Sequence, residues 1–122
     1  MTPLLPVMLG GALGAALRYV TGAALGVRLG DGFPYATLAV NLAGGFAMGV
    51  LAAFVLRGAA SETARLFIGV GVLGGFTTFS AFSLESFQMI ERGAWIMAGG
   101  YALASVIGSV LMLGAGMWII RS

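Results

Sequence analysis

Apolar residues run along this chain in long stretches that a handful of charges interrupt. The charged positions are Arg18, Arg28, Asp31, Arg57, Glu62, Arg65, Glu85, Glu91, Arg92 and Arg121. Between them lie three uncharged runs at 32–56, 66–84 and 93–120, and a fourth apolar stretch covers 3–17 and resumes after Arg18 as far as residue 27. A helix crossing the hydrocarbon core needs about 20 mostly apolar residues. Lipid offers no partner to unpaired backbone, so runs of this kind are helices. The pattern predicts four spans at roughly 3–27, 33–56, 65–88 and 94–120, joined by Gly-, Pro- and charge-rich connectors at 28–32 and 57–65. The first run could pass for a signal peptide, but Arg18 interrupts it and three more spans follow, so it reads as a helix of the mature chain. The expected fold is all-α, a single transmembrane domain over residues 1–122.

Composition agrees and narrows the chemistry. Charged residues are 8% of the chain and hydrophobic ones 60%, with mean hydropathy +1.05; a soluble domain is about 25% charged. The chain has no Cys, which removes disulfides, thiolate nucleophiles and iron–sulfur clusters, and no His, the commonest metal ligand and general base. Its net charge of +2 comes from six Arg and four acidic residues, scattered without a basic cluster, so nucleic acid is not an expected partner. Four spans also leave no room for a nucleotide-binding fold. Metalloenzyme and hydrolase chemistry are both disfavoured.

The same charges bear on topology. With four spans, Arg57, Arg65 and Arg121 fall on one side, while Arg28 and Arg92, with Arg18 near that end of the first helix, fall on the other. Orientation follows an excess of Lys and Arg in short cytoplasmic loops, and here the excess is close to nil. Two readings stand: a weak signal that the cell resolves, or insertion of copies both ways and assembly as an antiparallel dimer. Small residues recur at helical spacing, as Gly10, Gly14 and Arg18, as Asn41, Gly45 and Gly49, and as Gly100, Ala104 and Gly108. Such stripes let helices approach closely. A bundle that tight has little interior, so a transport path calls for a second protomer.

Several polar residues need an explanation. Arg18 at membrane depth costs about 2.5–3.5 kcal/mol on insertion scales. Either it attracts an anion, pairs with Glu85 or orients a dimer, or it snorkels to the interface. In the third span, the 11 apolar residues 66–76 reach about 16 Å, half a bilayer. Gly74-Gly75-Phe76-Thr77-Thr78-Phe79-Ser80-Ala81-Phe82-Ser83-Leu84-Glu85 follows. A Gly-Gly pair ahead of hydroxyl and β-branched residues weakens a helix at mid-depth. A broken helix there exposes carbonyls that can hold a cation and an N-terminus that favours an anion; a continuous helix with Ser and Thr bonded to their own backbone is the other reading. Phe76, Phe79 and Phe82 share a face, which ordinarily means packing, yet Thr78, Ser80 and Ser83 are interleaved with them. Aromatic rings are electropositive at the edge. Thr37 and Asn41 on the second span, and Tyr101, Ser105 and Ser109 on the fourth, add two more polar faces. Hydroxyl and amide donors without dense positive charge suit a strongly hydrated small anion, although each residue alone could be helix–helix glue.

These residues resemble the Fluc/CrcB family of fluoride channels. The resemblance covers nearly the whole chain: its size, its four spans, its weak charge bias, the stretch Gly10-Gly11-Ala12-Leu13-Gly14-Ala15-Ala16-Leu17-Arg18-Tyr19, Asn41-Leu42-Ala43-Gly44, and most specifically the segment from Gly74 to Glu85. It implies a dual-topology homodimer in the cell (inner) membrane of a prokaryote, with two antiparallel fluoride pores and a structural Na⁺ at the dimer centre. By the motif match, the backbone carbonyls of Gly74 and Thr77 would bind Na⁺, and Phe79 and Phe82 would present ring edges to fluoride. Asn41 would be a pore donor, with Ser80, Ser105 and Ser109 in a polar track; Arg18 and Glu85 match charged positions of the family. Ala81 stands where related sequences often carry Thr, and Leu113, one turn beyond Ser109, is apolar. The implied physiology is passive export, since HF enters from acid surroundings, dissociates inside and leaves as the ion. The competing class is a small four-helix proton-coupled multidrug or guanidinium exporter, but that mechanism wants a carboxylate in the first helix, and this one has none. A structural membrane subunit would leave the polar faces unexplained.

Overall fold

The computed structural model describes residues 3–29 and 33–121, with side chains described for 3–25 and 33–121. The Arg28 side chain and the connector holding Asp31 lie outside the described residues. Every regular element among those described is helical: α1 (Leu4–Leu29), α2 (Tyr35–Leu56), α3 (Glu62–Ala64), a wider-wound stretch (Arg65–Leu73), α4 (Gly74–Phe76), α5 (Phe79–Glu91) and α6 (Trp95–Arg121). Four stretches are long and apolar enough to cross a membrane: Leu4–Leu25, Tyr35–Leu56, Glu62–Glu91 and Trp95–Arg121.

Local chemistry sets the ends. The third stretch starts three residues before the predicted position, because Ser61 is extended and its hydroxyl accepts the Ala64 amide at 3.0 Å. An N-cap of this kind satisfies one of the orphan donors of the first turn. Glu62 then pairs with Arg65 through two bonds of 2.7 and 2.9 Å, an exposed pair that contributes little stability. Gly58 and Gly93, at φ 71° and 81°, terminate α2 and α5. Their left-handed backbone lets Ala59 donate to the Phe54 carbonyl at 2.9 Å and Ala94 to that of Met89 at 2.8 Å, the helix-ending arrangement that glycine favours.

The helices pair through glycine faces. A Cβ at Gly10 would land on the Phe67 carbonyl and one at Gly14 on that of Val72, so α1 lies directly against the wide-wound stretch. Gly49 sits on the Leu113 carbonyl and Gly116 on that of Phe46, which brings α2 and α6 together. The expected stripe on the last helix needs correction. Gly108 does meet the Leu42 side chain, but Gly100 has nothing within 4 Å and the close approach is made by Gly116. Gly49→Ala should therefore destabilise the fold by about 1–3 kcal/mol, since a backbone carbonyl cannot turn aside as a side chain can. A lowered melting temperature in detergent would show it.

The buried centre is small. Met89, Ala98 and Tyr101 form it, with Phe33, Leu38, Phe82, Ile90 and Ala94 packed around them. Val40, Leu51 and Leu73 are buried elsewhere between helices, while many large apolar side chains point outward, among them Leu9, Val20, Ile96 and Trp118. That surface suits hydrocarbon rather than water.

Candidate functional site

Between α4 and α5 the backbone of two residues is extended, Thr77 at φ −84°, ψ 158° and Thr78 at φ −152°, ψ 123°. The local composition favours this place: two glycines raise the entropy cost of forming any helix, and two β-branched threonines follow them. In an unbroken helix the amides of residues 78–81 would bond the carbonyls of 74–77. Two of them, those of Thr78 and Ala81, go elsewhere. The Thr78 amide donates to Asn41 Oδ1 at 2.8 Å, and the Thr78 carbonyl accepts from Asn41 Nδ2 at 3.0 Å. The carboxamide thus pairs with an extended residue as a neighbouring strand would. The Ala81 amide is taken by Thr78 Oγ1 at 3.1 Å, capping α5. Thr77 Oγ1 bonds back to the Leu73 carbonyl at 2.9 Å, and the Thr77 methyl fills the space that Gly44 leaves empty.

The diverted amides leave particular carbonyls without their helical donors. The Thr78 amide, diverted to Asn41, is the one a helix would give to Gly74. The Ala81 amide, diverted to Thr78 Oγ1, is the one it would give to Thr77. Between them, the Gly75 carbonyl accepts Arg18 Nε at 3.1 Å. No group of three or more Asp, Glu, His or Cys that could hold a metal occurs among the described residues. A cation bound here would need neutral oxygens, and hard monovalent or divalent cations accept carbonyl oxygen well.

A groove of about 430 Å³ opens beside the extended pair, between α2, α5 and α6. Its polar wall is Asn41, Thr77, Thr78, Ser105 and Ser109, its aromatic wall Phe79 and Phe82, and the rest is glycine and aliphatic, with Leu113 among them. Among the described residues no ionisable side chain lines it. The Ser105 hydroxyl is buried and finds no hydrogen-bond partner within the protomer. The Phe79 and Phe82 ring centroids are 5.4 Å apart, tilted by 39°, and Phe82 is 5.0 Å from Tyr101. Phe82 is wedged between rings, whereas Phe79 is 76% exposed at the rim. The start of α5 also abuts the groove, and the positive end of a helix favours negative charge.

Glu85 is bound from two sides. Thr37 Oγ1 donates to Oε2 at 2.9 Å, and the fully buried Tyr101 donates its hydroxyl to Oε1 at 2.8 Å. One carboxylate therefore ties α2, α5 and α6 together. Arg18 lies instead in a second cavity, of about 390 Å³, with Tyr19, Thr37 and Thr78 on its wall.

A family model described as "CrcB-like protein, Camphor Resistance (CrcB)" matches residues 5–117. The chain belongs to the CrcB family. Among CrcB relatives, proteins named fluoride-specific ion channel FluC are similar over almost their full length. The one from Sphingopyxis alaskensis is 53% identical over 122 residues, covering 99% of this chain and 97% of the relative. That from Mesorhizobium japonicum is 47% identical, covering 100% and 98%. That from a Chelativorans species is 52% identical, also covering 100% and 98%.

Within this CrcB chain, the structure gathers Asn41, Phe79, Phe82, Ser105 and Ser109 around one groove, with Thr77 beside them. Thr37 and Tyr101 serve Glu85, and Ser80 is exposed with its hydroxyl 3.3 Å from Thr78 Oγ1. Arg18 donates to the Gly75 carbonyl and Glu85 accepts from Thr37 and Tyr101, so the two are not joined; Arg65 pairs with Glu62. The residue that sequence reasoning undervalued is Thr78, which reaches both cavities and caps α5. Its signal was a Thr immediately ahead of a helical run, the usual N-cap placement.

Proposed function

We propose that this chain is a fluoride-selective passive channel of the prokaryotic cell (inner) membrane, working as an antiparallel, dual-topology homodimer with two pores. The observation that carries the reading is the neutral groove, whose wall combines an amide, hydroxyls and two aromatic rings. Fluoride holds its water strongly, and a line of neutral donors replaces that water without trapping the ion. The Ser105 hydroxyl and the second N–H of Asn41 Nδ2 are donors left for it. The names of the relatives support the same substrate. Since the groove is open along one side of the protomer, a second copy would close it. The near balance of Arg between the two sides is what two-way insertion needs.

In this reading the Gly74 and Thr77 carbonyls of each protomer would hold Na⁺ at the centre of the dimer. The ion would supply a positive charge facing carbonyls that the extended pair has deprived of their helical amides. Asn41 keeps that pair extended, and Thr77, seated on Gly44, anchors it to α2. Export is downhill, helped by a negative-inside potential. Purified protein in liposomes is expected to pass fluoride far faster than chloride with no proton gradient applied. Flux of fluoride or of organic cations that depends on a proton gradient would overturn the channel reading in favour of a coupled exporter.

A further inference from the structure

Arg18 is the cation that the groove does not use. It follows Gly14 by one turn, and Gly14 lets α1 lie against the Val72 carbonyl and the Phe76 amide. A Cβ at Gly75 would stand 3.1 Å from the Ala15 amide nitrogen. The stem of Arg18 is thereby held over the end of α4, and its Nε donates to the Gly75 carbonyl at 3.1 Å. That carbonyl has lost its helical partner, because extended Thr77 and Thr78 carry the Phe79 amide out of register. It also belongs to the C-terminal turn of the helical run that ends at Phe76, where carbonyl dipoles favour a positive donor. Glu85, the carboxylate that the sequence offers as its partner, accepts instead from Thr37 and Tyr101.

We propose that Arg18 is a positioning residue. Its Nε–H holds the middle carbonyl of the interrupted segment, and through it fixes the stance of Gly74, Thr78 and Phe79 beside the groove. The requirement is for a donor at the Nε position, and the charge is secondary. The contrary view makes Arg18 a bare positive charge that draws anions into the 390 Å³ cavity. Side-chain geometry separates the two. Gln carries its amide nitrogen the same number of bonds from Cα as Arg carries Nε, and it has no charge. Lys keeps the charge but puts a methylene there, with its nitrogen one bond further out. Met has the length and neither property.

The test compares the full-length protein with Arg18→Gln, Arg18→Lys and Arg18→Met, all reconstituted in lipid vesicles. Fluoride efflux and amide hydrogen exchange of residues 77–81 are both measured. The flux arm rests on the channel reading; the exchange arm does not. Arg18→Gln is expected to stay within about threefold of the unaltered protein in both. Arg18→Lys and Arg18→Met are expected to lose at least about fivefold in flux, as for one hydrogen bond, and to exchange faster at Thr78 and Ala81. Retained flux in Arg18→Lys with loss in Arg18→Gln would overturn the proposal in favour of the charge. Equal behaviour of all three variants, or Arg18→Gln failing to assemble where Arg18→Lys assembles, would overturn it as well. If the unaltered protein passes no fluoride, the channel reading falls, and the exchange pattern alone decides the role of Arg18.

Discussion

Asn41→Leu is expected to lower fluoride efflux at least about a hundredfold while the protein still folds and assembles. The substitution keeps the volume and removes both bonds to Thr78. Each backbone group left without a partner in a low-dielectric site costs about 1–3 kcal/mol, so the pair is worth about 2–6 kcal/mol, and 3 kcal/mol is already about a hundredfold. The cheapest escape for the chain is to rewind Thr78 into a helix, which would return the Gly74 carbonyl to its ordinary partner and rotate Phe79 away from the groove. Asn41→Asp isolates the donor half. It can still accept the Thr78 amide but sets a carboxylate oxygen against the Thr78 carbonyl, so it too should lose efflux. Measurement is by fluoride electrode on vesicles, with size-exclusion elution as the control for folding. Efflux unchanged in Asn41→Leu would reduce Asn41 to helix–helix packing.

Phe82→Ile is expected to reduce efflux about ten- to a hundredfold and Phe79→Ile by a smaller factor, with the oligomeric state unchanged in both. Phe82 touches two rings, Phe79 at 5.4 Å and Tyr101 at 5.0 Å, and each such contact is worth about 0.5–1.5 kcal/mol. Isoleucine keeps an apolar side chain but has no electropositive edge. It also releases Tyr101, whose hydroxyl holds Glu85. Phe79, mostly exposed at the rim, has less to hold it and less to disturb. Flux unchanged in both variants would make the Phe stripe a packing feature only.

Hydropathy made the four membrane-length stretches readable, because a bilayer demands long apolar runs and the charges punctuate them. Periodicity was less informative. It put Tyr101, Ser105 and Ser109 on one face, and Ser105 and Ser109 do share the groove. One turn earlier, Tyr101 meets the α5 carboxylate instead. Spacing along a helix specifies a face but not the neighbour that the face meets. The same limit hid the pairing of α1 with the wide-wound stretch and of α2 with α6. It also made Gly100 look like a contact glycine when Gly116 makes the approach. Asn41 was legible as polar, but its pairing with both sides of Thr78 depends on a backbone conformation that composition could only suggest. The motif at 74–85 marked where the unusual backbone lies, since glycines and threonines are what such a backbone requires.

The absence of any ionisable side chain from the groove wall, among the described residues, has a consequence for regulation. On the channel reading, external acid changes how much fluoride arrives as HF, yet nothing in the lining alters its charge in response. Such a lining has no titratable group of its own with which to sense the acid that makes the path necessary. Control of fluoride tolerance would then pass to the number of copies in the membrane, and a cell would adjust it through synthesis and turnover of the protein.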